Sequence, residues 1–583
     1  MNRALQTLLL ILLTMICGGI AAGQRATGVI TGRVVSDDGR PIPHASINII
    51  GSGRRMLSGR MSIVTDDEGN FQADGLDPAP YLVTATAPGY VMTADNRAVD
   101  LFDPGQPDYV YLGESVTITM MKGSVITGKV TSDSGDPVIG VQVRAMRVRD
   151  ANGRPVTAAS GFGASMIGSR TTDDRGVYRL YGLAPGAYVI SAGGSGFSVR
   201  MTPYDARMPI YHPSSTRDAA SEITVRSGEE VSGIDIRYRA ERGSAISGKV
   251  TGAPAGGTSG VALSVTSINL RQASSGVVIA STFIPPVGDQ NGYAFYGVAN
   301  GEYELVATRG GANDETSLAS PPRRVVISGR DATGVDLVLA PLASLSGIIV
   351  IEKPQPDAQK CESRREFQID EVMLKAAREA PAEKTEMQWG LPQNTGAPDE
   401  KGAFQIRGLR PGRYRIESPL PDDLWYLRTI TMPGANGAAA TDIGRSGLLL
   451  RGGEKLSGVN VTIASGGAQL KGRVTAAEGA KLPARLRVFL VPAEKEAAEN
   501  VLRYAEAKAD SDGAFSLSHL APGRYLLLAR AVDDESDEKP VRPQAWDNAG
   551  RAKLRKDAEA ANVTVELKAC QRVNDFKLKY AAR

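Results

Sequence analysis

The chain has 583 residues, with 67 Lys+Arg against 64 Asp+Glu for a formal net charge of +3, and only three His and three Cys. These counts exclude a zinc-finger array, a disulfide-dense scaffold and a nucleic-acid binder that relies on a strong overall positive field. At roughly 100–200 residues per domain the length holds three to six domains, and 65 Gly with 33 Pro make it turn-rich without low complexity.

Residues 1–23 read as a signal peptide. Arg3 supplies the positive start, Leu8 to Ile16 the apolar run, and Ala21-Ala22-Gly23 the small residues before a cleavage point at Gln24. The rival readings are lipidation at Cys17, where Ile16 stands in place of the small residue a lipobox needs, and retention as an anchor, for which the run is short. No later stretch reaches the roughly 18 consecutive apolar residues of a membrane helix. The expected address is exported: periplasmic, outer-surface or secreted. Export permits disulfides. After cleavage Cys361 and Cys570 remain, either as one bridge or as two separate thiols.

Three markers then recur five times in the same order. A short strand with a central glycine opens each unit: ITGRV at Ile30, ITGKV at Ile126, ISGKV at Ile246, LSGII at Leu345 and LKGRV at Leu470. An acidic or polar turn, an aromatic, a Gly/Pro turn and a tyrosine follow, as in TDDEGNFQADGLDPAPY from Thr65 and TDDRGVYRLYGLAPGAY from Thr172. The same block returns from Asp289, Asp399 and Asp510. Its first glycines, Gly69, Gly176, Gly292, Gly402 and Gly513, are 107, 116, 110 and 111 residues apart. An alternating strand closes each unit, as in GESVTITM at Gly113 and ANVTVELK at Ala561.

The alternation of apolar and polar residues with β-branched types is the pattern of half-buried strands. The acidic turns place glycine where a hairpin needs positive φ. Pro185-Gly186, Pro411-Gly412 and Pro522-Gly523 suit type II turns, and the tyrosines that follow are placed to pin a corner with their hydroxyls. The expected fold is all-β, a tandem array of five immunoglobulin/transthyretin-like β-sandwich domains at 24–122, 123–242, 243–342, 343–466 and 467–583. Short linkers make it a semi-rigid rod. The best helical stretch, Ala493 to Ala509, reads as a short helical insertion in the fifth domain.

These motifs resemble the carboxypeptidase regulatory-like domain, a transthyretin-like sandwich also grouped with carbohydrate-binding-like folds. The match is closest where GRVVSDDGRPIPHASINI from Gly32 aligns without gaps to GKVTSDSGDPVIGVQVRA from Gly128. The third to fifth units lack the G-x-P-I/V pattern in their first hairpin. The resemblance implies a fold and an exported location, and no activity of its own.

No catalytic machinery emerges. His44, His212 and His519 fall in three units, and none has Glu three residues on; no nucleophile elbow or phosphate loop appears. The acidic turns read as capped hairpins rather than calcium loops. The expectation is a non-enzyme without cofactor or metal. Sugar stacking needs exposed flat aromatics, for which Trp389, Trp425, Tyr426 and Trp546 are the candidates, with strand core as the other reading of Trp425 and Tyr426. Residues 24–122 hold 8 basic and 12 acidic residues, and 467–583 hold 21 and 17. This is a mild asymmetry that reads either as solvated surface or as head-to-tail steering. The expected role is a binding or scaffold protein of the envelope or extracellular space, whose partner is a protein or a polysaccharide at the cell surface. The alternatives are a polysaccharide-binding protein and an accessory part of an outer-membrane transport system.

Overall fold

The computed structural model describes residues 28–52, 60–92, 109–151, 153, 169–194, 204, 206–252, 265–274, 276, 278–285, 291–310, 317–352, 361, 368–379, 394–434, 439–476, 482, 483, 486–510, 512–531 and 544–580. The signal reading of 1–23 lies outside them. Within them the chain is all-β, built of two-sheet sandwiches.

The first repeat shows the plan. Asn70–Leu76, Gly28–Ser36, Ser115–Lys122 and Tyr90–Met92 form one sheet in that order, and Arg60–Val64, Ser46–Gly51 and Tyr81–Thr86 the other. Their inward faces bury Ile30, Val34, Ile47, Ile49, Val83 and Ile118 completely. The later opening strands, Ser124–Thr131, Ser244–Thr251, Ala343–Glu352 and Ala468–Thr475, repeat this placement. Each lies antiparallel to the strand after the acidic turn and parallel to the closing strand. In the fifth repeat the closing strand is Arg572–Lys579, and ANVTVELK, expected to close it, instead forms Val563–Leu567 beside Gly523–Ala531 in the other sheet. Buried apolar side chains gather in five large clusters, one about each opening strand.

The sequence markers acquire physical reasons. Each central glycine sits directly across from an aromatic: Gly32 from Phe71, Gly128 from Tyr178, Gly248 from Tyr293, Gly347 from Phe404 and Gly472 from Phe515. On the other side the closing strand comes so close that an added Cβ would meet its carbonyl oxygen. The distance would be 2.3 Å for Val116 against Gly32, 2.1 Å for Ile234 against Gly128 and 1.8 Å for Val459 against Gly347. The tyrosines pin corners as expected. Their hydroxyls donate to the carbonyl four residues back: Tyr81 to Asp77 (2.6 Å), Tyr188 to Ala184 (2.7 Å), Tyr303 to Ala299 (2.9 Å), Tyr414 to Arg410 (2.8 Å) and Tyr525 to Ala521 (2.6 Å). Burial pushes the Tyr188 and Tyr525 phenols up to about 12, so both stay donors through the neutral range.

The turn chemistry is partly different. In the acidic turns the aspartate accepts backbone N–H groups, as Asp173 does from Arg175 (2.9 Å) and Val177 (2.8 Å) and Asp399 does from Lys401 (3.0 Å) and Ala403 (2.8 Å). The Pro-Gly corners are not type II turns. Gly186, Gly412 and Gly523 have φ of 149°, 153° and 147° rather than about +80°. Each already pairs in the next strand, Gly186 opposite Val225, Gly412 opposite Leu450 and Gly523 opposite Leu567, so the chain is extended by that point.

Residues 493–509 do not form a helix. They make two single 3-10 turns, Lys495–Ala497 and Val501–Arg503, and then the strand Ala505–Ala509 antiparallel to Leu486–Leu490. A two-residue period was hidden among good helix formers: Ala505, Ala507 and Ala509 pack on the core while Glu506 and Lys508 alternate with them. The helix of this repeat is Asn548–Ala561 instead. The Asp547 side chain caps it by accepting from Gly550 N (2.5 Å), and Asn562 ends it at φ 50°. It lays Leu554 and Ala558 on Phe489, Val491 and Leu526, across the outer face of a sheet. The rod expectation also needs amending, because the Tyr111 hydroxyl of the first repeat donates to the Pro419 carbonyl of the fourth at 3.4 Å.

Gly347→Ala is expected to lower unfolding free energy by about 3 kcal/mol, the upper end for overpacking, in urea titrations followed by circular dichroism. Gly39→Ala, with nothing within 4 Å and only positive φ against it, should cost about 1 kcal/mol. Equal costs at the two sites would refute the close-approach account.

Candidate functional site

Polar and covalent contacts among the described residues join the fourth repeat to the fifth. Gly467 N donates to Leu424 O (2.7 Å), Gln469 Nε2 to Asp423 Oδ2 (2.8 Å) and Cys570 N to Gly466 O (3.3 Å). Leu502 of the fifth repeat packs on the fourth core. Cys361 and Cys570 are joined by a disulfide with Cα atoms 5.1 Å apart, across 209 residues of sequence.

Two buried charged groups brace this junction from the fourth repeat. The Arg415 side chain is 7% exposed and its Nε lies 2.8 Å from Oε1 of Glu379, itself 6% exposed. The same guanidinium donates to Trp546 O (3.0 Å) and Gly444 O (3.3 Å). A buried ion pair holds when its remaining donors are matched in this way, and here one of those donors reaches into the fifth repeat.

His519 contributes in a manner its residue type does not announce. The strand after the acidic turn carries a bulge at which its register against the opening strand shifts. Four repeats put a left-handed glycine there: Gly75, Gly182, Gly297 and Gly408, with φ of 67–71°. The fifth puts His519 at φ 58°. Its Nδ1 lies 3.0 Å from Trp425 O, so the proton sits on Nδ1. Desolvation pushes the imidazole below 6.5, against the pull of Asp423 and Asp422. The other histidines lie elsewhere. His44 is exposed, with Nε2 3.6 Å from Asp67, and His212 Nδ1 is 2.6 Å from Asp235 O. Among the described residues no group of three or more His, Cys, Asp or Glu is placed to hold a metal.

The aromatic candidates are distributed as follows. Trp425 and Tyr426 are consecutive in the strand Trp425–Met432, so they point to opposite faces. Trp425 packs against the fourth core. Tyr426 is half-buried near Arg428, Glu352 and Arg503, and burial raises its phenol. Trp546 ends the turn Gln544–Trp546 and offers its carbonyl to Arg415. Trp389 lies outside the described residues. Arg415, Glu379 and the special position of His519 were not singled out from the sequence. The last was findable by aligning GL, GL, GV and GL with HL after the aromatic.

Residues 29–107 match the family profile of the carboxypeptidase regulatory-like domain. No curated protein matches the sequence. Among solved structures, the Bacillus anthracis TIE protein is 12% identical over 54% of this chain and 51% of its own, with a TM-score of 0.14, so this chain spans about half the length of that protein. The shaft pilin SpaA of Lactobacillus rhamnosus GG is 13% identical over 36% of this chain and 98% of its own, TM-score 0.17. The minor pilin GBS52 of Streptococcus agalactiae is 15% identical over 36% and 96%, TM-score 0.19.

Two measurements probe the junction. Cys361→Ser with Cys570→Ser should cost about 5 kcal/mol in the chain-entropy limit for a loop of this length, and calorimetry should then resolve melting of the fourth repeat from the fifth. For His519, the unfolded chain takes up a proton near 6.5 while the folded imidazole stays neutral to lower pH. Its contribution to stability is therefore full above 6.5 and is lost as pH falls from there toward the folded pKa. His519→Gly should flatten the stability profile between pH 7 and pH 5, and an unchanged slope would show that the imidazole titrates alike in both states.

Proposed function

We propose that this chain is an exported, non-catalytic scaffold of five sandwich domains, bounded at 24–122, 123–242, 243–342, 343–466 and 467–583, which holds protein partners in the envelope or at the cell surface. The observation that carries this reading is the Cys361–Cys570 disulfide between repeats. Such bonds persist in oxidising compartments and are rare in the cytosol. It agrees with the apolar leader at Leu8 to Ile16, and no helix among the described residues is long and apolar enough to cross a membrane. The chemistry of the three histidines supports a structural role: each is set against a backbone carbonyl or a surface carboxylate in a different repeat. Loops and sheet edges on rigid frames are then the means of recognition. The packing of Trp425 against core supports a protein partner over a sugar platform at that residue.

The full chain expressed with its own leader in a diderm bacterium should be recovered outside the cytoplasm, beginning at Gln24. Its two cysteines should react with maleimide only after reduction. A cytoplasmic chain with two open thiols would overturn the reading. A glycan array in which binding is lost by Trp389→Ala or Trp425→Ala would replace protein partners with polysaccharide.

A further inference from the structure

The closing strand of each repeat has the opening strand on one side, and its other side is treated differently along the chain. In the first repeat Ser115–Lys122 is covered by the antiparallel strand Tyr90–Met92. In the fourth, Lys455–Ser465 is covered by Trp425–Met432, also antiparallel. In the fifth, Arg572–Lys579 pairs with Ala468–Thr475 and ends its sheet, with no strand on its outer side among the described residues. It is eight residues long, about 27 Å of unpaired edge.

The direction of that edge follows from one hydrogen bond. Tyr580 N donates to Thr475 O at 2.8 Å. By the two-residue alternation of a parallel ladder, Leu578 also turns inward, and Lys577 and Lys579 present their N–H and C=O groups outward.

The charge around the edge is one-sided. Arg572, Lys577 and Lys579 are exposed on the strand, and Lys471 and Arg473 are exposed on its neighbour. Arg473 stands directly opposite Lys577, a like-charge pair that costs stability. Asp512, 2.8 Å from Arg473, and Asp575 in the strand itself offset only part of this. The fourth repeat, whose edge is covered by its own chain, has Ile348 and Val350 on the corresponding face. Lysines on an open edge discourage neutral or basic strands from adding, and they leave an acidic strand as the complement.

We propose that the outer edge of Arg572–Lys579 is a docking edge for an extended acidic segment of a partner protein, which adds antiparallel as Tyr90–Met92 and Trp425–Met432 do in their own sheets. This rests on the scaffold reading above and names the edge and the chemistry it selects.

The test uses residues 24–583 and a fluorescein-labelled eight-residue peptide of alternating Glu and Val, with alternating Lys and Val as control, read by anisotropy. The acidic peptide should bind saturably and the basic one should not. Hydrogen exchange at the Lys577 and Lys579 amides should slow when the acidic peptide is present. Lys577→Glu with Lys579→Glu should weaken binding at least tenfold. Lys577→Pro should abolish it while leaving the melting temperature within a few degrees, because the N–H it removes faces outward. Binding of equal strength in Lys577→Pro, or heparin competing equally in parent and proline variant, would reduce the edge to a polyanion patch and overturn the proposal, as would absence of peptide binding. Any of these with export and oxidised cysteines intact leaves the scaffold reading standing. A cytoplasmic, reduced chain sinks that reading whether or not the peptide binds.

Discussion

The arrangement depends on a glycine that has no room to be anything else. In each repeat the closing strand brings a carbonyl to the position a Cβ would occupy on Gly32, Gly128, Gly248, Gly347 or Gly472. The facing aromatic lies against the bare backbone, and Tyr293 also donates to the closing-strand carbonyl of Val335 at 2.5 Å. Three strands that are distant in sequence are thereby locked in one register. A slip of one residue would turn every inward side chain outward, and the glycine–aromatic pair opposes such a slip by driving a Cβ into the closing-strand carbonyl. The tyrosine corner then fixes the second sheet, so both layers of the sandwich are indexed from two points.

Between repeats the balance of forces changes. Within a repeat, burial of aliphatic side chains dominates, as expected for strands with one dry face. At the junction of the fourth and fifth, backbone hydrogen bonds, a buried guanidinium shared between Glu379 and the Trp546 carbonyl, and a covalent bridge do the joining, with Leu502 as the apolar contribution. Such contacts are directional. They set an angle between two bodies, which apolar contact alone does not do.

Most of the fold was legible in the sequence because its constraints are local. The central glycine, the acidic turn and the corner tyrosine each act within a few residues of where they stand, so their recurrence at fixed spacing exposes them. What escaped notice was set by distant neighbours. Ala505–Ala509 is a strand because Leu486–Leu490 waits for it, although its composition favours a helix. The real helix, Asn548–Ala561, shows only Leu554, Ala558 and the buried Arg551 as its inward face, too thin an apolar stripe to stand out. Arg415 and Glu379 are 36 residues apart and meet through a pairing of strands that no spacing rule encodes. His519 passed as one of three scattered histidines because its backbone conformation, not its side chain, defines its place. Of the candidate site, the two cysteines were visible by arithmetic, whereas Trp425 could not be divided between core and surface without its neighbours.

The disulfide has a mechanical consequence. If the chain is held at both ends, tension entering at Cys361 leaves at Cys570 through a single covalent link. The residues between them, most of two repeats, form a slack loop outside the path of the force. Fully extended, that loop would measure on the order of 700 Å. The first three repeats have no such bypass among the described residues and would yield in order of their own strengths. In the back, Ala343–Glu352 and Arg572–Lys579 lie outside the loop and still carry the load, so the bridge caps the length those two repeats can release rather than sparing them the pull.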